Sequence, residues 1–235
     1  MTYNNPKWVV TEFLRKNLTD PRASRRPTKK ELTFTATAGQ TDFILSYSTG
    51  KSLSYISKVK IDTVEIRKWK DYSIDFRDNK VILKTGATLG QTIEIELYES
   101  STNWIYWDTL QENLNPLNFP RISIIVGAGS GSRLGNYEAP VESSISLQFD
   151  VYTKEKSTTQ IFEIDGKNYT GEELAERIAY DIQRAFEDKI DELHPVLYDY
   201  IPSSFPPRYI PFDETFQCHR KIVECNLRGV TLGEY

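Results

Sequence analysis

The chain has 235 residues, of which 39% are hydrophobic, 12% aromatic and 26% charged, and its formal net charge is −4. A chain of this length forms one large domain or two small ones, and its aromatic content excludes a disordered protein. Two cysteines exclude a disulfide-stabilised mini-scaffold, and the lack of a long apolar run predicts no membrane span and no signal peptide, so we expect a reducing compartment and no membrane partner.

The N-terminal segment predicts a short amphipathic helix followed by a basic linker. Asn5-Pro6 is a typical helix start, and Asp20-Pro21 is a typical end. Residues 21–30 show no hydrophobic period, which predicts an exposed linker. Its basic side chains are candidates for contact with phosphates or an acidic neighbour, although a solubilising loop is the plainer interpretation. These candidates are Arg22, Arg25, Arg26, Lys29 and Lys30.

Between residues 31 and 100 the hydrophobic period becomes two. Residues 32–36 and 93–97 alternate apolar and polar side chains, and Asp62-Thr63 and Asp78-Asn79 are typical turn pairs. The pattern predicts five to seven short strands in an inserted all-β sandwich or barrel domain.

Residues 101–235 return to a mixture of strands and one long helix. Residues 121–126, 144–151 and 216–227 are predicted as strands, residues 127–135 as a flexible glycine loop, and residues 202–211 as a proline-rich loop. Thr170 and Glu173 fit a capping box at the start of a helix over 171–191. The predicted apolar face of this helix is Leu174, Ile178, Ile182, Ala185 and Phe186.

The predicted fold class is therefore α+β. Residues 1–30 and 101–235 would form a mixed or antiparallel sheet flanked by two helices, and residues 31–100 would form an inserted β-rich docking domain.

Charge is distributed unevenly along this order of elements. Residues 1–30 carry eight Lys/Arg and two Asp/Glu, a net charge of +6, whereas residues 170–200 carry three and nine, a net charge of −6. Such polarity is typical of a protein that packs head to tail with its copies or binds partners at opposite ends. A solvated basic loop and a solvated acidic helix face explain it equally well.

No motif predicts catalysis, a cofactor or a metal site. The segment VGAGSGSRLG follows a strand as a phosphate loop does, but it lacks Gly-Lys-Ser/Thr and no helix opens behind it. We therefore expect a mobile interaction loop, with Gly127, Gly129, Gly131 and Arg133 as candidate interface residues. Cys218, His219 and Cys225 lack metal-ligand spacing and fit a strand, with the cysteines as small core residues.

Three segments carry a resemblance to a known family. NFPRISIIVG (118–127), ISLQFDVYTK (145–154) and YTGEELAERIAYDIQRAF (169–186) occur in the element order of the tail terminator or tail completion proteins of tailed bacteriophages, which this chain resembles. Residues 34–45, 58–76 and 90–99 are similar to small β modules near the N-termini of phage tail-fibre proteins. The sequence Ile61-Asp62-Thr63 departs from the usual Val-Asn-Gly turn of those modules.

The resemblance implies a structural virion protein without enzymatic activity. It implies a homo-oligomeric ring, with six subunits in the family, that caps the tail tube protein and joins a head-side connector at the neck, after assembly in the host cytoplasm. The basic segment would then join neighbouring subunits or line a channel through which DNA passes. We favour the subunit contact, because a conduit works better without tight phosphate binding.

Other functions stay open at this point. Within the same class these are a head-tail connector or adaptor and a tail-fibre attachment protein. From other classes they are a carbohydrate-binding module and a hydrolase.

Overall fold

A computed structural model describes residues 6–106, 119–133, 141–154, 161–193, 197–202, 207–213 and 217–231. The described part is α+β, with most of its residues in strands. The helices are α1 (Pro6–Asn17) and α2 (Gly171–Lys189), with short 3-10 helices at Ala23–Arg25 and Ile190–Glu192. The first seven strands are β1 (Thr28–Thr35), β2 (Asp42–Ile44), β3 (Ser52–Ile61), β4 (Val64–Ile66), β5 (Tyr72–Asp75), β6 (Lys80–Leu83) and β7 (Thr92–Ser100). The remaining strands are β8 (Ile105–Tyr106), β9 (Arg121–Arg133), β10 (Val141–Lys154), β11 (Phe162–Ile164), β12 (Lys167–Tyr169), β13 (Leu197–Pro202), β14 (Arg208–Asp213) and β15 (Cys218–Thr231).

The chain divides into two compact units. The first comprises Met1–Lys16 and Ser24–Asn103, and the second comprises Asn17–Ala23 and Trp104–Tyr235. The predicted inserted segment, residues 31–100, lies within the first unit. Most of α1 also belongs to this unit, whereas the sequence analysis grouped it with residues 101–235.

The first unit contains two antiparallel sheets, with strand orders β1-β7-β3-β4 and β2-β6-β5. Alternate residues of both sheets meet in one hydrophobic core, as the period-two pattern predicts. This core contains Ala36, Phe43, Leu45, Ile56, Val59, Tyr72, Ile74, Val81, Leu83, Ala87, Ile93, Ile95 and Leu97. The Asp62-Thr63 turn is confirmed, with φ values of 47° and 77° that are typical of a tight hairpin turn.

Helix α1 covers part of the edge of β3. Strand β4 pairs with β3 only from Val59 to Ile61, so the preceding residues of that edge need other partners. The Glu12 carboxylate accepts a hydrogen bond from the Ile56 amide at 3.1 Å, and Arg15 donates to the Leu53 carbonyl at 3.4 Å. A helix over a sheet edge satisfies its backbone groups and blocks strand addition there.

The second unit is built on a sheet with strand order β13-β15-β10-β9-β8, and β14 also pairs with β15. Helix α2 packs against this sheet, and its Phe186 ring lies 5.5 Å from that of Phe149 in β10. The predicted apolar face of α2 is buried, at Leu174, Ile178, Ile182, Ala185 and Phe186. Thr170 is the N-cap residue, but its side chain makes no capping hydrogen bond, so the predicted capping box is wrong.

Two predicted loops are strands in part, and residues 203–206 of the second lie outside the described residues. Residues 127–133 belong to β9, and residues 129–133 pair with β10, so the prediction of a flexible glycine loop is wrong for 127–133, and residues 134–135 lie outside the described residues. The predicted proline-rich loop over 202–211 overlaps β13 and β14. Both strands pair with β15 through one edge only among the described residues, and an edge strand tolerates proline because its outer amides need no ladder partner.

Candidate functional site

The basic segment is not an exposed linker. It contains a 3-10 helix at Ala23–Arg25 and continues directly into β1. The Arg25 side chain is buried, and its backbone carbonyl accepts a hydrogen bond from the Ser100 hydroxyl at 3.1 Å. Arg26 is exposed. The prediction of a linker is therefore wrong, because Arg25 lies in a 3-10 helix and Lys29 and Lys30 lie in β1.

Arg22 is bound within the second unit. Its guanidinium donates to the Phe119 carbonyl at 3.0 Å and lies 5.5 Å from the centre of the Phe162 ring. Its backbone amide donates to the Asp20 carboxylate at 2.8 Å. These contacts bind Arg22 to Asp20, Phe119 and Phe162 of the same unit. Its guanidinium is therefore engaged within the chain.

Lys29 and Lys30 are paired with carboxylates of the neighbouring strand. Lys29 Nζ lies 2.6 Å from Glu96 Oε2 and 2.7 Å from Glu31 Oε1, and Lys30 Nζ lies 3.9 Å from Glu99 Oε2. The register of β1 and β7 pairs Lys29 with Tyr98 and Lys30 with Leu97, so each lysine lies diagonally across from its glutamate, Glu96 or Glu99. The first unit thus neutralises part of the positive charge of residues 1–30 internally.

Glu96 and Glu99 are largely buried although they are charged. The hydrogen bond from Lys29 is the main cause that lowers the pKa of Glu96, and Lys58 adds a further ion pair at 3.4 Å. Burial raises the pKa of Glu99, but hydrogen bonds from Ser48 and the charge of Lys30 outweigh it and leave the pKa below its usual value. The sequence analysis did not single out either carboxylate. The alternation of a strand predicts which face of the sheet a glutamate lies on, but not which side chains surround it.

A second polar network lies on β10 and β15. The Asp150 carboxylate, 1% exposed, lies 2.7 Å from an Arg220 nitrogen, and it accepts hydrogen bonds from the Tyr152 hydroxyl at 3.1 Å and Gln148 at 2.8 Å. Burial and the neighbouring carboxylate raise the pKa of Tyr152. These contacts satisfy the buried carboxylate and link the two neighbouring strands.

The cysteines lie in β15. Cys218 and Cys225 are 0% and 1% exposed, and burial raises the pKa of the Cys225 thiol to about 12. A thiol with that pKa stays protonated near neutral pH and is a poor nucleophile or metal ligand. Across the described ranges, no three His, Cys, Asp or Glu side chains form a cluster suited to a metal ion.

The predicted glycine candidates lie along β9. Gly129, Gly131 and Arg133 stand opposite Ile145, Ser143 and Val141 of β10. The register shifts between the pairs at Ile145 and Leu147, which is the position of Gly127 and Ala128. At Gly127 a Cβ atom would lie 3.2 Å from the Ser146 Cβ, so the close approach at this irregularity favours glycine.

The nine candidate interface residues therefore belong to both units of the chain. Within the second unit it places Arg22 near Phe119, and Gly127, Gly129, Gly131 and Arg133 along one strand. Arg25, Arg26, Lys29 and Lys30 belong to the first unit.

Comparisons with protein-family models, curated proteins and solved structures found no match. Within the described part of the chain, neither helix has the length and apolarity needed to cross a bilayer.

Proposed function

We propose that this chain is a structural virion protein that forms a ring at the head–tail junction of a tailed phage. In this role it caps the tail tube protein, joins the head-side connector and leaves a lumen through which DNA passes. It acts as a tail terminator, and its chemistry is that of surfaces rather than of a nucleophile or cofactor.

The observation that carries the proposal is the length of the central strands of the second unit. β9, β10 and β15 have 13, 14 and 14 residues, and strands usually have about 3–10. At about 3.3 Å per residue they span about 43–46 Å, whereas the 19 residues of α2 span about 28 Å. A sheet that extends beyond its covering helix is suited to contact with other subunits.

The element order of the family supports the same proposal. A helix, a strand with the sequence PRISIIV, a long alternating strand, a helix of about five turns and a final strand follow one another in the described residues. The order is the one on which the resemblance to tail terminators rests.

The first unit supports a docking role. Its two sheets share one hydrophobic core, and we propose that residues 31–100 form the inserted β sandwich that the resemblance implies as a docking domain. The related proposal of a tail-fibre attachment protein rests on this domain alone, and that of a connector or adaptor differs only in the position of the ring.

The oligomeric state tests the proposal. Sedimentation velocity and electron micrographs of the purified chain, alone and with tail tube protein, should show a closed ring, with six subunits expected from the family. A trimer would favour fibre attachment. A monomer under every condition would overturn the ring, and a monomer that binds sugars would favour a carbohydrate-binding module.

A further inference from the structure

The sheet of the second unit ends in a long open edge at β9. Strand β8 pairs with β9 only at Ile122 and Ser123. From Ile124 to Arg133, no strand among the described residues pairs with the outer edge of β9, although its inner edge pairs with β10. Among the described residues, about 33 Å of this edge therefore has no partner strand.

This edge lacks the usual protection against strand addition. Residues 124–132, with the sequence IIVGAGSGS, contain no charged residue and no proline. Edge strands in monomers are commonly short, charged or interrupted by proline, because an open uncharged edge pairs with other chains. The irregularity at Gly127 and Ala128 bends the strand locally but leaves the residues after it paired with β10 in regular register. The composition favours an edge that is paired in the assembled protein.

The opposite end of the same sheet offers a matching strand. β13 pairs with β15 through one edge, and no described strand pairs with its other edge. Four rows of paired residues cross the sheet from this part of β9 to β13. They are Gly131, Ser143, Gly229 and Leu197; Ser130, Ser144, Arg228 and Asp199; Gly129, Ile145, Leu227 and Tyr200; and Val126, Leu147, Cys225 and Pro202. The two open edges thus lie at the same level of the sheet.

Strand direction also fits head-to-tail addition. Each pair in the path β9-β10-β15-β13 is antiparallel, so β9 and β13 point in opposite directions. A copy added by rotation about an axis along the strands keeps this orientation, and its β13 meets β9 as an antiparallel neighbour. A contact between two different patches that repeats by rotation generates a ring when the rotation closes.

We propose that the subunits of this ring join by strand addition, with the outer edge of β9 in one copy paired antiparallel with the outer edge of β13 in the next. This inference rests on the ring of the proposed function and names its contact. The partner is therefore a second copy of this chain, recognised through backbone hydrogen bonds.

A proline substitution tests the β9 edge. The Ile122 amide donates to the Trp104 carbonyl at 2.8 Å, away from β10, and alternate amides along a strand point the same way, so the Val126 amide faces the open edge. Val126→Pro removes this donor and keeps the inner ladder, whereas Val126→Thr keeps the donor as a matched control. We expect Val126→Pro to sediment as a monomer with a thermal midpoint within a few degrees of the parent, and Val126→Thr to remain a ring.

Disulfide cross-linking tests the pairing without relying on proline. Ser130→Cys is combined in turn with Asp199→Cys or Ile201→Cys, which tests the pairing at the level of Ser130 and a register shift of two residues towards Ile201. Directly opposed residues of antiparallel strands lie about 4.5–5.5 Å apart between Cα atoms, which suits a disulfide. The buried Cys218 and Cys225 are present in every variant. Each single-cysteine variant therefore controls for disulfides that involve these native cysteines.

Mild oxidation of one double variant should give a covalent ladder that ends at the size of the ring, while the single variants stay monomeric on a non-reducing gel. A covalent dimer from Ser130→Cys alone would show that β9 pairs with β9 of a twofold-related copy, which overturns the inference. A ring that survives Val126→Pro and gives no ladder in any double variant overturns the inference but leaves the proposed function intact. A parent chain that never forms a ring overturns both.

Discussion

Glu12 of α1 accepts a hydrogen bond from the backbone amide of Ile56 in β3, with 3.1 Å between Oε1 and nitrogen. Its other carboxylate oxygen pairs with Lys68, and the Glu12 residue is only 3% exposed. One side chain thus satisfies an edge amide and a lysine at once, and it joins the N-terminal helix to a sheet about 40 residues further along the chain.

Glu12→Ala should lower the free energy of unfolding of the first unit by about 2–3 kcal/mol, because a partly buried lysine and an edge amide lose their acceptor. Urea denaturation followed by tryptophan fluorescence measures the loss. Glu12→Gln keeps an acceptor for the amide and should lose less. Equal stability of the parent and the alanine variant would contradict the role assigned to this carboxylate.

The domain boundaries predict the behaviour of two fragments. Val9, Val10, Phe13 and Leu14 of α1 are buried, and most of α1 belongs to the first unit, so a fragment of residues 1–103 should unfold cooperatively. A fragment of residues 24–103 lacks α1 and should melt at a clearly lower temperature. Calorimetry compares them, and identical melting of the two fragments would support the original grouping of α1 with residues 101–235.

Acid should destabilise the first unit through Glu96 and Glu99. Both pKa values are lowered in the folded chain from the usual value of 4.5, so the charged carboxylates stabilise the fold above that pH. This stability is lost as the pH falls through the lower, folded pKa values. Urea midpoints measured between about pH 7 and pH 3 should fall steeply for the parent and less steeply for Glu96→Gln and Glu99→Gln. Parallel curves for parent and variants would show that these carboxylates do not carry the effect.

Helix α2 offers a paired test of its buried face. Ile182 is 0% exposed, and Ile182→Ala should cost about 2–5 kcal/mol as a core truncation. Glu176 is exposed, and Glu176→Ala should change stability by at most about 0.5 kcal/mol. Thermal unfolding of both variants provides the comparison, and equal midpoints would contradict the packing of α2 on the sheet.

Charge reversal tests the basic segment as a subunit contact. Arg25 is buried, so its reversal would damage the fold, whereas Arg26 is exposed. Arg26→Glu should weaken the ring in a salt-dependent way if the segment joins subunits, because exposed charge pairs are screened beyond about 8–10 Å. Lys84→Glu, at another exposed lysine, is the matched control. Rings of unchanged stability at all salt concentrations would favour a channel role.

Local patterns were sufficient to predict the elements that depend on near neighbours in sequence. The apolar period of α2 and the turn at Asp62-Thr63 are examples, since each is decided within a few residues. Partners far along the chain were not predictable. Lys29 was assigned to a linker because nothing near it in sequence shows Glu96, which lies 67 positions away.

The loop predicted at the glycines of β9 is wrong for a related reason. Glycine is rare within strands and common in loops, so residues 127–133 were predicted as a loop. Their strand conformation depends on pairing with the well-patterned β10. The open edges of β9 and β13 follow from the strand order, and strand order is a property of the whole sheet that no single segment displays.

The position of β15 makes the second unit sensitive to the order in which the chain is synthesised. β15 pairs with β10 on one edge and with β13 and β14 on the other, so it is an interior strand although it is the last to leave the ribosome among the described strands. A nascent chain that stops before Cys218 leaves three strands without their common neighbour. A chain that ends before β15 therefore cannot form the complete sheet of the second unit, and its β10, β13 and β14 keep unpaired edges.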